Sequence, residues 1–137
     1  MSWRALTSAL LAALLAPACG AGGDEPVPAA PPPAVDLRVE FWPRGPGGAE
    51  TTATLTCEPT GGTHPRPAAA CAALAAHPEA LDPVPGEALC TQIHGGSETA
   101  AVSGTVSGER VEARFGRENG CEIARWDALD ALLRLSR

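Results

Sequence analysis

Lysine and tyrosine are absent from this 137-residue chain, methionine occurs once, and aromatic residues make up only 4%. Its 10 basic residues, all arginine, face 16 acidic ones, for a formal net charge of −6. A nucleic-acid binder concentrates positive charge on one surface, so this balance argues against that class. No Cys-x-x-Cys or His-x-x-x-His pair is present, which argues against a zinc site. No Gly-x-Ser-x-Gly setting presents a nucleophile, and no glycine-rich loop has the form of a phosphate cradle. The reading is a non-enzyme with no catalytic residue, no metal and no cofactor. His64, His77 and His94 read as surface or turn residues.

The chain is rich in small and rigid residues. It holds 15 Gly, 14 Pro and five Cys, and much of its 45% hydrophobic content is alanine. Alanine buries little area, so the core needs reinforcement, and disulfides are the usual reinforcement of small exported domains.

Residues 1–18 read as a secretory signal. Met1 to Arg4 is a short positive start, Leu6 to Leu15 is an apolar run, and Ala16-Pro17-Ala18 is an A-x-A cleavage site. The run falls short of the ~20 residues a membrane span needs. Cys19 is the odd cysteine, at the end of the apolar run and followed by a tether, in the manner of a bacterial lipoprotein site. Two outcomes stay open: plain secretion, or a lipid on Cys19 as the only link to the membrane. Residues 19–34 form a Gly/Pro-rich tether without apolar periodicity, and residues 35–137 form one small domain.

Within that domain Val35 to Trp42 alternates apolar and polar side chains, which predicts a half-buried strand. Pro43 to Gly48 is a turn, and Thr51 to Cys57 is a second strand that closes a hairpin. Pro67 to His77 is Ala-rich, opens on a proline suited to a first helical turn and stops before Pro78. Thr99 to Val106 and Arg110 to Phe115 predict two strands around Ser107-Gly108. Asp127 to Leu135 spaces its leucines as a short amphipathic helix. Strands outnumber helices and hairpins dominate, which is the α+β class with an antiparallel sheet. Cys57, Cys71, Cys90 and Cys121 read as disulfide partners, and four cysteines allow three pairings that spacing alone does not separate.

Several segments carry a resemblance. They are Thr54-Leu55-Thr56-Cys57-Glu58-Pro59, Gly62-Thr63-His64-Pro65, Ala69-Ala70-Cys71-Ala72-Ala73-Leu74, Gly86-Glu87-Ala88-Leu89-Cys90-Thr91, Gly108-Glu109-Arg110-Val111 and Asn119-Gly120-Cys121-Glu122. In this order and spacing the chain resembles the Streptomyces subtilisin inhibitor family from about Val35 to Trp126. The resemblance implies an antiparallel sheet of about five strands with two short helices packed on one face, often as a homodimer. It implies the pairs Cys57–Cys71 and Cys90–Cys121. It also implies inhibition of subtilisin-like serine proteases through a substrate-like loop. Gln92 is then the primary specificity residue and Gln92–Ile93 the reactive bond. Leu89, Cys90, Thr91 and His94 are the flanking contact residues, and Asn119 lies beside the loop and hydrogen-bonds the loop's backbone.

The chain departs from the family at two places. His94-Gly95-Gly96 stands where the family has Tyr-x-Pro, and two glycines there predict a looser loop after the reactive bond. Ala124 to Arg137 lacks the family's closing Val- and Phe-rich strand and offers a Leu-rich helix. Two functions follow: an extracellular protease inhibitor, or a non-inhibitory tethered binding or structural module of the cell envelope on the same scaffold. A lipid on Cys19 predicts that Cys19→Ser releases the domain into the medium. An unmodified mature N-terminus downstream of Cys19, read by mass spectrometry, contradicts the anchor.

Overall fold

The central element is the strand Val35–Trp42 (β1), which pairs antiparallel with Thr51–Cys57 (β2) on one side and Thr99–Val106 (β4) on the other. The computed structural model describes residues 28–136, so the expected signal peptide, most of the expected tether and Cys19 lie outside the described residues. The two-residue strand Gly61–Gly62 (β3) adds beside β2, and Glu109–Phe115 (β5) adds beside β4. The result is one five-stranded antiparallel sheet in the order β3-β2-β1-β4-β5.

Alternation along the strands sorts the side chains by face. Leu37, Val39 and Phe41 of β1, Ala53 and Leu55 of β2, Val102 of β4 and Phe115 of β5 are buried on one face. Arg38, Thr52, Thr54, Arg110 and Glu112 alternate with them and stay exposed. The register sets Leu37 opposite Leu55 and Val39 opposite Val102, while Phe41 faces Thr51 and the small Ala100. The β4–β5 hairpin turns at Ser107-Gly108, both at positive φ (51° and 80°), the two-residue geometry that matches strand twist.

The buried face is covered by Pro67–Ala76 (α1), Gly120–Ala128 (α2) and the short Asp130–Leu133 (α3). A 3-10 turn at Pro78–Leu81 follows α1. Helix α1 begins on the predicted proline and ends at Ala76, with His77 as its cap. The disulfide Cys57–Cys71 joins it to the end of β2.

The C-terminal region differs from the expected helix over Asp127 to Leu135. It is two helices broken at Leu129, and the first begins seven residues before Asp127, at Gly120. Its true start is Asn119, whose Oδ1 accepts from the Cys121 and Glu122 backbone N–H groups at 3.0 Å each. Asn followed three residues later by Glu is a helix-opening pattern. The leucine periodicity drew the expected helix toward the C-terminus instead. The leucines themselves behave as expected: Leu129, Leu132, Leu133 and Leu135 are all buried. With Trp126, fully buried and 6.3 Å from Phe41 between ring centroids, they supply the bulk that an alanine-rich chain otherwise lacks.

His64 is also different from its expected surface or turn role, because it is buried at 4% exposure. Its Nε2–H donates to the Leu132 carbonyl (2.9 Å) and its Nδ1 accepts from the Arg66 N–H (3.0 Å). Each partner has a fixed role, so the ring is neutral with its proton on Nε2. It ties α3 to the segment before α1 across 68 positions of sequence. Burial, reinforced by the Arg66 charge, pushes its pKa below the ordinary 6.5. Below pH 6.5 the unfolded chain binds a proton that the folded chain resists. This contribution to stability is therefore complete above pH 6.5 and is lost progressively as pH falls below it, down to the folded-state pKa. An NMR titration of the His64 ring should show a midpoint below 6.5, with melting temperature dropping as pH falls below 6.5. A midpoint above 6.5 contradicts the account.

Candidate functional site

Between the 3-10 turn and β4 the chain runs from Pro83 to Glu98 without helix or strand. Loops of this length in a small domain are uncommon and usually functional. Two large apolar side chains stand out of it: Leu89, 101% exposed, and Ile93, 56% exposed. They are the exposed large hydrophobics among the described residues, and they flank Thr91 and Gln92, which are also exposed.

The exposed stretch is tied down on both sides. Before Gln92, the disulfide Cys90–Cys121 joins the loop to the first turn of α2. Beside it the Gly120 N–H donates to the Thr91 carbonyl at 2.9 Å. After Ile93, the Gly95 N–H donates to the Arg117 carbonyl at 2.7 Å. All three ties end on residues 117–121, where the link after β5 passes into the first turn of α2. The expected reactive bond Gln92–Ile93 thus sits between two attachments to the same piece of backbone.

The two glycines do not loosen this limb as their sequence suggested. Gly95 lies so close to Ile123 that a Cβ there would meet its Cγ1 and Cδ1 at 2.8 Å and Arg117 Nε at 3.0 Å. Gly96 has φ +140°, and a Cβ on it would collide with the Glu98 carboxylate. Glycine here permits close approach and an unusual φ, and the loop is held against the domain because of it.

Below the loop the support is a stack of cations and one ring. Arg117 and Arg134 guanidinium carbons lie 5.8 Å and 5.9 Å from the Trp126 ring centroid. Arg134 pairs with Asp130 (2.5 Å) and with Glu98 (3.5 Å), which stands at the foot of β4. The hydrogen bond to Asp130 raises its pKa further above the ordinary arginine value, so its charge is permanent. At the other end of the loop Arg125 fixes the start. Its guanidinium donates to the Ala80, Leu81 and Arg114 carbonyls, pairs with Glu122 at 3.1 Å and lies 4.2 Å above the Phe115 ring. None of Arg117, Arg125 or Arg134 was singled out from sequence, because an arginine's partners are distant in the chain.

The expected site residues are placed as follows. Gln92 is exposed, and its Nε2 donates back to the Cys90 carbonyl at 3.2 Å. His94 is exposed beside Gly95. Asn119 acts on the loop through its neighbour: its own oxygen caps α2, and the loop bond comes from the adjacent Gly120 N–H. Cys57, Cys71, Cys90 and Cys121 are all in disulfides, which removes them as metal ligands. Among the described residues no three His, Cys, Asp or Glu side chains gather as a metal site. No helix among them is long and apolar enough to cross a membrane.

The family model described as subtilisin inhibitor-like matches residues 43–118, more than half of the chain. No curated protein matches it by sequence. Among solved structures it is similar to Streptomyces caespitosus sermetstatin, in a crystal structure with Bacillus licheniformis subtilisin. The identity is 24% over 70% of this chain and 92% of that one, with a TM-score of 0.44. The family match stops just before α2, so the two C-terminal helices lie beyond it.

Removing the α2 cap should weaken both helix and loop. Asn119→Ala is expected to cost about 1 kcal/mol in urea unfolding, and Asn119→Asp, which keeps an acceptor, to recover most of it. Equal losses in the two variants would show that the cap is not what Asn119 supplies.

Proposed function

We propose that this chain, which belongs to the subtilisin inhibitor-like family, is an extracellular inhibitor of subtilisin-type serine proteases that presents Leu89 to His94 as a substrate-like loop. The observation that carries the reading is the pairing of exposure with restraint. Leu89 and Ile93 are offered to solvent on a segment fixed on both sides of Gln92. A protease binds extended peptides by adding them as a strand to its cleft, so main-chain hydrogen bonds carry much of the affinity. A loop already restrained in the free protein loses little entropy on docking.

In this reading Gln92 enters the protease's main specificity pocket and Leu89 fills the apolar pocket three residues upstream. Gln92 gives up its hydrogen bond to the Cys90 carbonyl as it does so, which also frees that carbonyl for the protease. The protease's serine oxygen attacks the Gln92 carbonyl carbon. The bond to Ile93 breaks, and the protease's histidine hands the leaving nitrogen its proton. The inhibitor contributes no catalytic group. Its part is to hold the new Ile93 amine near the ester, so that amine attack, which re-forms the peptide bond and returns the proton to the serine, competes with attack by water.

The neutral Gln92 side chain sets the target class. A trypsin-type pocket has a buried Asp that needs a cation, and an amide leaves that charge poorly compensated. Titration of subtilisin with the purified mature domain should give stoichiometric loss of activity, or slow cleavage confined to Gln92–Ile93. Gln92→Arg should gain inhibition of trypsin with a modest loss against subtilisin. If the disulfide-bonded domain neither slows subtilisin nor is cut at that bond, the loop assignment is wrong. The non-inhibitory envelope module then takes its place.

A further inference from the structure

We propose that Gly95, seated on Ile123 and Arg117, is the positioning residue that keeps the cut loop resealable, and that its lack of a side chain decides between inhibitor and substrate. The proposal rests on the inhibitory reading of the loop and extends it to the side of the bond that carries no disulfide. Before the bond, Cys90–Cys121 makes the attachment covalent. After it, the nearest attachment is the single Gly95 N–H bond to the Arg117 carbonyl, two residues beyond Ile93. Once Gln92–Ile93 is opened, the new amine belongs to a strand end held at Gly95. Its position over the ester depends on that contact.

A Cβ here forces either the Ile123 side chain or the limb itself to shift. The site a Cβ would take is 2.8 Å from two carbons of Ile123 and 3.0 Å from Arg117 Nε, closer than carbon atoms sit in contact. Nothing in the backbone itself opposes an alanine, since Gly95 is outside the positive-φ glycines. The opposition to a side chain at 95 is therefore steric, and it comes from Ile123 of α2 and from Arg117. Arg117 Nε is buried without a hydrogen-bond partner, so it cannot swing out to make room without moving its stack on Trp126.

Gly95→Ala then lifts the limb off α2 and lengthens the Arg117 hydrogen bond. The amine leaves the ester more often, water attacks instead, and the products are a Gln92 carboxylate and a free enzyme. Shortening Ile123 should give the space back. The prediction is a reciprocal pair: Gly95→Ala raises the rate of cleavage at Gln92–Ile93 by subtilisin about tenfold or more, and Gly95→Ala with Ile123→Ala brings it back toward wild type. Ile123→Ala alone sets the background for that comparison.

The readouts are the cleavage rate in complex with subtilisin, the inhibition constant, and the backbone ¹⁵N–¹H NOE of Ile93 and His94 in the free protein. Expected is a rise in cleavage that exceeds any change in initial binding, a drop in the NOE for Gly95→Ala alone, and recovery of both in the double variant. Cleavage unchanged in Gly95→Ala, or increased but not rescued by the smaller residue at 123, overturns the proposal. If wild type itself does not engage subtilisin, the inhibitory reading fails. The NOE comparison still reports whether Ile123 and Gly95 hold the limb.

Discussion

Two backbone hydrogen bonds, Gly120 N–H to the Thr91 carbonyl and Gly95 N–H to the Arg117 carbonyl, bracket the Gln92–Ile93 bond. Both end where the link after β5 passes into α2, and the Cys90–Cys121 bridge ends beside them in the first turn of α2. Each hydrogen bond alone contributes about 0.5–1.5 kcal/mol. Ordering a free segment costs about 1–2 kcal/mol per residue in backbone entropy. Restraining the five residues from Thr91 to Gly95 before any partner arrives is therefore worth more than any one contact the loop offers, on the order of 5–10 kcal/mol if the free loop were fully mobile.

The rest of the fold serves the position of that link. The sheet sets the end of β5 beside the foot of β4, and Phe115 carries Arg125 above it. Arg125 gathers the Ala80, Leu81 and Arg114 carbonyls, which joins the loop's entry to β5 and α2 through one side chain. Its side chain and that of Glu122 are nearly buried, at 9% and 17% exposure. Removing either charge would strand the other, and breaking such pairs commonly costs about 3–5 kcal/mol. Trp126 fills the space beneath, against Phe41 on one side and between Arg117 and Arg134 on others. One large ring at this point compensates for a chain with few aromatics.

Much of this was legible in the sequence, and the remainder was hidden for definite physical reasons. Of the four long strands, β1 and β2 followed from period-two alternation, the signature of a sheet with one covered face, and β4 and β5 from their place around the Ser107-Gly108 turn. Strand β3 is two glycines, which carry no pattern at all. The pairs Cys57–Cys71 and Cys90–Cys121 followed only from family resemblance, since spacing leaves three pairings open. The start of α2 was missed because the Asn119 and Glu122 opening pattern encloses a glycine, a weak helix former, while four leucines further on dominated the periodicity. Gly95 was read as slack and is in fact a contact. A glycine demanded by close approach looks identical in sequence to one that adds freedom, and Ile123 is 28 positions away. His64 was hidden in the same way, by a partner carbonyl at Leu132.

The claim on which the account stands is that the loop is braced on both sides of Gln92–Ile93 in the free protein. Amide hydrogen exchange of the isolated, disulfide-bonded domain tests it without any protease. The account predicts that the Gly95 and Gly120 N–H groups exchange slowly, to a similar degree, while the Ile93 and His94 N–H groups between them exchange near the rate of an unstructured peptide. Fast exchange at Gly95, with protection confined to Gly120, would mean that only the disulfide side is held and would contradict it.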